Sequence, residues 1–219
     1  MTARSVSYST AILFLASVLP IFAGPENPEA VLRKAFRLPA KNGWVQVHLE
    51  GAPSEIGYQH GSLLSAEIEE LHKIVSLELE RDTHKNWDFY RRAAREVLWP
   101  KVDPEYRDEM QGITEGLAAR GVALDIWDVV ALNAFLELGP YYAPYWDRQH
   151  SGADAPRHHP IPERCSAFIA TGSYTRNGKI VMGHNAWTSY LNGQRWNIVF
   201  DIAPERGNRI FMDGLPGVI

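Results

Sequence analysis

The order of apolar and polar residues divides the chain into a helical part and a strand-rich part. Apolar and polar residues alternate over residues 43–50, which predicts a strand. From Ile56 to Leu79 the apolar residues recur at helical spacing, which predicts one long helix with Ser54 as its N-cap. The same spacing predicts three further helices, over residues 87–98, 104–119 and 125–138.

The pattern changes after residue 140. Residues 141–164 are rich in proline, glycine, histidine and charge and have no period, which predicts a loop or linker of about twenty residues. Strand-like patterns follow over residues 166–172, 179–183, 196–203 and 209–212, with an Arg176-Asn177-Gly178 turn between the first two. Helices followed by antiparallel hairpins predict an α+β fold rather than an alternating parallel sheet.

The N-terminus has the features of a secretory signal peptide. Arg4 gives a positive start, residues 11–18 form a short apolar run, and Ile21-Phe22-Ala23 is a small-residue cleavage site. We therefore expect a signal peptide over residues 1–23 and a secreted or periplasmic protein, or one in a lysosome-like lumen if the source is eukaryotic. The alternative is an uncleaved membrane anchor, and in both cases the rest of the chain works outside the cytoplasm.

Composition narrows the class of protein. With 45% hydrophobic residues, 11% aromatic residues and a net charge of −4, the chain is globular and not basic enough for nucleic acid. We expect a strand and a helical region over residues 24–146, a linker or processing loop over 147–164, and a β-sheet core from residue 165. Two hairpins alone would leave an open sheet with exposed edges, so we expect this to be the N-terminal part of a longer polypeptide.

Cys165 is the single cysteine, in a compartment where cysteines are usually paired. It is therefore buried and inert, linked to another molecule, or a working thiol. Its position after a loop and at the start of a strand suits one mechanism. If the Arg164–Cys165 bond is cut, Cys165 gains a free α-amine with a pKa near ~8, which can act as the base for its own thiol.

Several short motifs resemble one family of hydrolases. Cys165-Ser166-Ala167, the hairpin, His184-Asn185-Ala186-Trp187 and then Ser189-Tyr190 resemble the phospholipase B-like proteins. More distantly, they resemble cysteine acyltransferases and amidases related to penicillin acyltransferase. The sequence "GYQHG", residues 57–61, resembles a helix motif of the acyltransferase branch. Both groups are N-terminal nucleophile (Ntn) hydrolases.

The resemblance implies a fold and a set of roles. The fold is the αββα sandwich, here incomplete and preceded by a helical region. Cys165 is the nucleophile, and Arg164–Cys165 is the bond of self-cleavage. His184 either orients the nucleophile, donates to an oxyanion or is structural, while Asn185 donates to the tetrahedral intermediate or caps a turn.

The residues that the resemblance assigns to the substrate pocket are aromatic. Trp187 stands where the amidase branch has an aspartate, which favours the phospholipase B-like branch. Trp187 and Tyr190 are the expected substrate-pocket residues, with Trp187 a packing residue or a wall for an acyl group. The implied partner is a small acyl amide or a lipid ester, which the enzyme can meet at a membrane surface. No cofactor is expected, and the two processed chains are expected to remain associated.

Three other histidines are not expected to take part in catalysis or zinc binding, and two other functions are compatible with the sequence. His60 lies on the apolar face of its helix and is expected to be a hydrogen-bonded core residue. His158 and His159 do not predict a zinc site, because adjacent side chains point apart and no third ligand has suitable spacing. The alternatives are a non-catalytic lipid- or ligand-binding relative with an idle thiol, and a thiol protease with His184 as a separate base.

Overall fold

The computed structural model describes residue 25, residues 27–150 and residues 165–219. The α-helices are α1 (Pro28–Arg33), α2 (Pro53–Leu63), α3 (Ser65–Thr83), α4 (Trp87–Ala93), α5 (Pro104–Ala119), α6 (Ile126–Asn133), α7 (Phe135–Glu137), α8 (Ala143–His150) and α9 (Tyr190–Gly193). The strands are β1 (Phe36–Arg37), β2 (Val45–Gly51), β3 (Ser166–Gly172), β4 (Gly178–Asn185), β5 (Ile198–Pro204) and β6 (Ile210–Gly214). Single π-helical turns follow α4 and α7, at Ala94–Leu98 and Leu138–Tyr142.

The strands form two separate sheets. Four strands are ordered β1-β2-β5-β6, with β2 and β5 parallel and the two outer pairs antiparallel. The other sheet is the antiparallel hairpin of β3 and β4. This mixture of helices and mostly antiparallel strands confirms the α+β class. The parallel pairing of β2 with β5 joins strands that lie about 150 residues apart in the chain, and the sequence pattern did not predict it.

The core lies between one face of the four-stranded sheet and the helices. Val47, Leu49 and Phe200 point to this side and are buried, together with Ile68 and Leu71 of α3. Buried and more exposed residues alternate along β2, because every second residue of a strand faces the same side of the sheet.

Four glycines allow α2 and α5 to pack at very short distance. They are Gly57 and Gly61 on α2, and Gly112 and Gly116 on α5. A Cβ atom at any of them would lie closer than 3.0 Å to a backbone carbonyl oxygen of the other helix. Each pair is four residues apart and therefore lies on one face of its helix. Only glycine fits this crossing, which explains both glycines of the GYQHG segment.

The two polar residues of that segment tie α2 to other parts of the fold. Gln59 is fully buried, accepts from the Glu50 N–H at 2.8 Å, and donates to the carbonyls of Glu50 and Val31. His60 is also buried, and its Nε2 accepts from the Gly217 N–H at 2.8 Å. The prediction that His60 is a hydrogen-bonded core residue is confirmed.

The predicted start and length of the first long helix were wrong. The N-cap is Ala52 rather than Ser54, with Pro53 in the first turn and Glu55 accepting from the Ala52 N–H at 3.1 Å. The helix also divides at Leu64, between α2 and α3. No glycine or proline marks this break. Instead, Arg37 of β1 donates to the Leu63 carbonyl at 3.0 Å, which supplies a partner for a carbonyl at the end of α2.

The prediction of a loop from residue 141 was wrong for its first ten residues. Residues 141–150 are helical, in the second π-helical turn and α8. Pro144 lies in the first turn of α8, directly after the π-helical turn. Trp146 packs edge-on against Phe89, and Asp147 pairs with Lys85 at 2.6 Å, so tertiary contacts hold this helix in place. Residues 151–164 lie outside the described residues.

Candidate functional site

Cys165 lies immediately before β3, and its thiol is exposed. The backbone N–H of Trp187 donates to Sγ at 3.4 Å, and the Trp187 carbonyl accepts from the thiol at 4.0 Å. The sulfur is therefore held against the chain that follows β4 while it stays open to solvent. The alternative in which Cys165 is a small buried core residue is wrong.

The hairpin register decides which predicted residues share a face with the thiol. Ala167 is directly paired with His184, and Ser166 with Asn185. Directly paired residues project to the same face, and successive residues alternate. Continuing the alternation by one residue places Cys165 on the face of His184 and Asn185 on the opposite face. Among the contacts of the described residues, Cys165 and His184 share no hydrogen bond.

The turn of the hairpin is built from residues that tolerate unusual backbone angles. Gly172 and Gly178 both have positive φ, at 57° and 72°. Asn177 Oδ1 accepts from the Lys179 N–H at 3.2 Å, as expected of asparagine in a turn. These contacts fix the register that brings Cys165 beside Trp187, and the predicted hairpin is confirmed.

The hairpin itself is exposed on both faces. Phe168 is 61% exposed on one face, and Ile169 and Met182 are 67% and 66% exposed on the other. The two residues expected to line a pocket are also open, with Trp187 at 70% and Tyr190 at 92%. The described residues therefore bring no aromatic wall around Cys165, and the pocket role of Trp187 and Tyr190 stays a prediction.

The segment that follows the hairpin is anchored to α3. Ser189 Oγ accepts from the Asn192 N–H at 3.2 Å and caps α9. Asn192 is buried and donates through Nδ2 to Glu78, while Arg195 pairs with Glu70. Contacts with α3 thus hold the chain a few residues after Trp187, whereas the side chains of the hairpin before it are exposed to solvent.

Some predicted features fall outside the described residues. These are the signal peptide over residues 1–23, Arg164 at the predicted cleavage bond, and the histidines His158 and His159. In the part of the chain that the structure describes, no helix is long and apolar enough to cross a membrane. The same part contains no group of three or more His, Cys, Asp or Glu side chains arranged to hold a metal ion.

A charged cluster that the sequence did not predict lies on the outer face of the four-stranded sheet. Asp201 accepts from Nε and Nη2 of Arg209, both at 2.6 Å, and lies 2.8 Å from Nδ1 of His48. Hydrogen bonds from Arg209 lower the pKa of Asp201 to about 2, helped by His48. His48 and Asp201 are paired residues of β2 and β5, so only the non-local parallel register brings them together. The polar positions of each strand were visible in the sequence, but their pairing was not.

A cavity of about 650 Å³ lies away from Cys165, at the start of α2 and α5 and beside the β5–β6 hairpin. Its lining includes His60, Glu109 and Phe200, but none of the predicted catalytic or substrate-pocket residues. Burial lowers the pKa of His60 to about 4. The ring is neutral at pH 7, and because Nε2 accepts a hydrogen bond, the proton is on Nδ1.

Comparison with known proteins adds one distant relative. No family model matches the chain. An uncharacterised protein of Archaeoglobus fulgidus is 27% identical over 189 residues, which cover 81% of this chain and 30% of that protein. The chain therefore spans less than a third of the relative that it matches.

Proposed function

We propose that this protein is an exported cysteine hydrolase of the N-terminal nucleophile type, which cleaves an amide or ester through an acyl-enzyme on Cys165. The observation that carries the proposal is the thiol's position. It lies exposed before the first strand of a hairpin, beside the backbone of Trp187 in the His-Asn-x-Trp motif. The likeness to the phospholipase B-like proteins is the second support, and the α+β fold is compatible with the αββα class.

The first step is self-cleavage of the Arg164–Cys165 bond. Cys165 Sγ attacks the carbonyl carbon of Arg164, the C–N bond breaks, and the nitrogen takes up a proton as the new α-amine. The product is a thioester between the Arg164 acyl group and Sγ. Water then attacks this thioester, which leaves a carboxylate on Arg164 and regenerates the thiol of Cys165.

The second step is turnover of substrate by the new terminus. The α-amine of Cys165 takes the thiol proton, and the sulfur attacks the substrate carbonyl. The ammonium then protonates the leaving amine or alcohol, and an acyl-enzyme remains on Sγ. Water attacks the acyl group with the α-amine again as base, which releases the acid. A hydrogen-bond donor to the transient oxyanion is required, and His184 and Asn185 are the motif residues proposed for it.

The sheet supports the expectation that the processed chains stay together. A cut before Cys165 would leave β2 on one chain and β5 on the other, and these strands pair along seven residues from Val45–Ile198 to Gly51–Pro204. Gly217 also donates to His60, and its carbonyl accepts from Asn133 at 2.8 Å. Separation of the chains would therefore break the central pairing of the sheet.

Substitution of the nucleophile tests the proposal directly. Cys165→Ala should abolish both cleavage and turnover, whereas Cys165→Ser should still cleave slowly because a hydroxyl can attack the adjacent carbonyl. Turnover of the processed wild type should rise as the α-amine loses its proton, with an apparent pKa that neighbouring charges set. Normal turnover in Cys165→Ala would remove the assignment. Activity in an uncut chain that requires His184 would favour the thiol protease instead.

The proposed substrate class is a long acyl group, as in the phospholipase B-like branch. Trp187 replaces the aspartate of the amidase branch, and Tyr190 and Trp196 follow in sequence. Each methylene buried against an aromatic wall is worth ~0.8 kcal/mol, or about fourfold in binding. Turnover of p-nitrophenyl esters should rise with chain length, and Trp187→Ala should flatten that slope more than it slows the shortest ester. Equal turnover of short and long esters would favour a peptide or small-amide substrate.

A further inference from the structure

The cavity beside α2 and α5 combines an apolar floor with an acidic edge. The strands of the β5–β6 hairpin contribute Phe200, Ile202 and Met212, and α2 contributes Ile56. Its volume of about 650 Å³ lies in the range of small-molecule sites, which are usually mostly apolar with a few polar groups. The cavity wall also includes residues outside the helices and strands, among them Glu205, Arg206 and the last two residues of the chain, Val218 and Ile219, and Cys165 does not line it.

The acidic edge consists of three carboxylates of α5. Glu105, Asp108 and Glu109 all line the cavity, and none forms an ion pair with a described residue. Glu105 lies in the first turn of α5, where a negative charge is favourable at the positive end of the helix. Glu109 is one turn further along and has no such role. Its carboxylate is partly buried without a counter-ion.

We propose that this cavity binds a small apolar molecule that carries a primary ammonium group. The ammonium would pair with Glu109 at the edge, and the apolar part would lie against Phe200 and Met212. Charge complementarity selects this class, because an anion would meet three unpaired carboxylates and a neutral molecule would leave them without a partner. The site is independent of the chemistry proposed for Cys165.

The other charged groups of the cavity also favour a ligand with an ammonium group. The remaining ionisable side chains in the wall are His60 on α2, Tyr106 on α5, and Glu205 and Arg206 after β5. His60 is neutral at pH 7, so Arg206 is the single cationic side chain against four carboxylates in the described wall. Burial raises the pKa of Glu109 to about 7, and Glu105 contributes further. An ammonium beside Glu109 would relieve this cost by stabilising the carboxylate.

Calorimetry with three probes of equal chain length tests the proposal. Octylammonium should bind the full-length protein at least about tenfold more tightly than octanol, and octanoate should bind more weakly still. Glu109→Gln should lower the octylammonium affinity by about tenfold and leave octanol unchanged. Glu115→Gln is the matched control on the same helix, because Glu115 does not line the cavity, and it should bind all three probes as the wild type does.

A proton measurement distinguishes the Glu109 contact from unspecific binding of an amphiphile. At pH 7 about half of the Glu109 side chains are protonated, so octylammonium should release up to about half a proton on binding. Titration in two buffers with different ionisation enthalpies measures this release, which Glu109→Gln should abolish. Equal binding of the three probes, or ammonium binding without proton release, would overturn the proposal. The same titration of Cys165→Ala should match wild type, which separates this site from the proposed hydrolase.

Discussion

The α2–α5 crossing and the β3–β4 hairpin differ in how much of their sequence the fold requires. At the crossing, the four glycines admit no Cβ, and Gln59 and His60 each hold a distant part of the chain by hydrogen bonds. In the hairpin, most large apolar side chains are more than half exposed, and Cys165, His184 and Asn185 are open to solvent.

This difference indicates which residues are candidates for a catalytic role. Packing accounts for each residue of the GYQHG segment, including Tyr58, which is buried. Packing among the described residues accounts for neither the thiol of Cys165 nor the imidazole of His184. A motif whose residues the fold does not need is the better place to look for function.

The largest effect is expected at the helix crossing. In Gly61→Ala the new Cβ would lie closer than 3.0 Å to backbone atoms of Ile113, so the two helices must separate. We expect the free energy of unfolding to fall by about 4 kcal/mol or more, measured by urea denaturation. Gly193→Ala is the control, since its Cβ would meet Thr188 at an ordinary 3.4 Å, and it should change stability by less than about 0.5 kcal/mol. Similar losses in both variants would show that the crossing is not tight.

Two isoleucines compare the regions directly. Ile113 on α5 is fully buried, whereas Ile169 on β3 is 67% exposed. Ile113→Ala should cost about 3 kcal/mol of unfolding free energy, because it removes buried contacts and leaves a cavity. Ile169→Ala should cost less than about 0.5 kcal/mol. A loss at Ile169 as large as that at Ile113 would mean that the hairpin is packed in solution.

His60 should make stability fall in acid. Its pKa is about 4 in the folded protein against an ordinary 6.5, so the unfolded chain binds the proton more tightly. The contribution is complete above pH 6.5 and is lost as the pH falls through 4, by about 3 kcal/mol at pH 4. His60→Gln, whose amide oxygen can still accept from Gly217, should remove this part of the slope. The exposed His184→Gln should keep it, and a wild-type slope in His60→Gln would contradict the account.

Glu109 should act in the opposite direction. Its pKa is raised to about 7, so the folded protein binds the proton more tightly and stability falls as the pH rises from 4.5 through 7. Glu109→Gln should therefore be more stable than the wild type at pH 8, by about 3 kcal/mol relative to their difference at pH 4.5. Thermal unfolding at the two pH values measures this. A constant difference between the two proteins would show that Glu109 is not buried in solution.

The sequence predicted helices and strands well where residues inside or beside the element determine its bounds. The bounds of α5 match the prediction, because Pro104 starts the helix and Gly121 follows its end with a positive φ of 79°. The β3–β4 hairpin was also predicted from its turn. In both cases the residues that set the backbone angles lie inside the element or directly beside it.

Contacts between residues far apart in the chain determine the features that the sequence did not predict. The break at Leu64 is matched by a hydrogen bond from Arg37, and α8 is held by the pair of Lys85 with Asp147. The parallel register of β2 with β5 depends on strands from opposite ends of the chain. The position of Cys165 could be predicted as the start of a strand, but its contact with Trp187 follows from the hairpin register.

The central claim is that Cys165 becomes a new N-terminus, and the most direct test is the chemical identity of the purified protein. Intact mass and N-terminal sequencing should show two chains, the second beginning Cys-Ser-Ala. Cys165→Ala should give one uncut chain with the stability of the uncut wild-type precursor, because an exposed side chain contributes little to the fold. A single uncut wild-type chain that hydrolyses its substrate at full rate would contradict the claim.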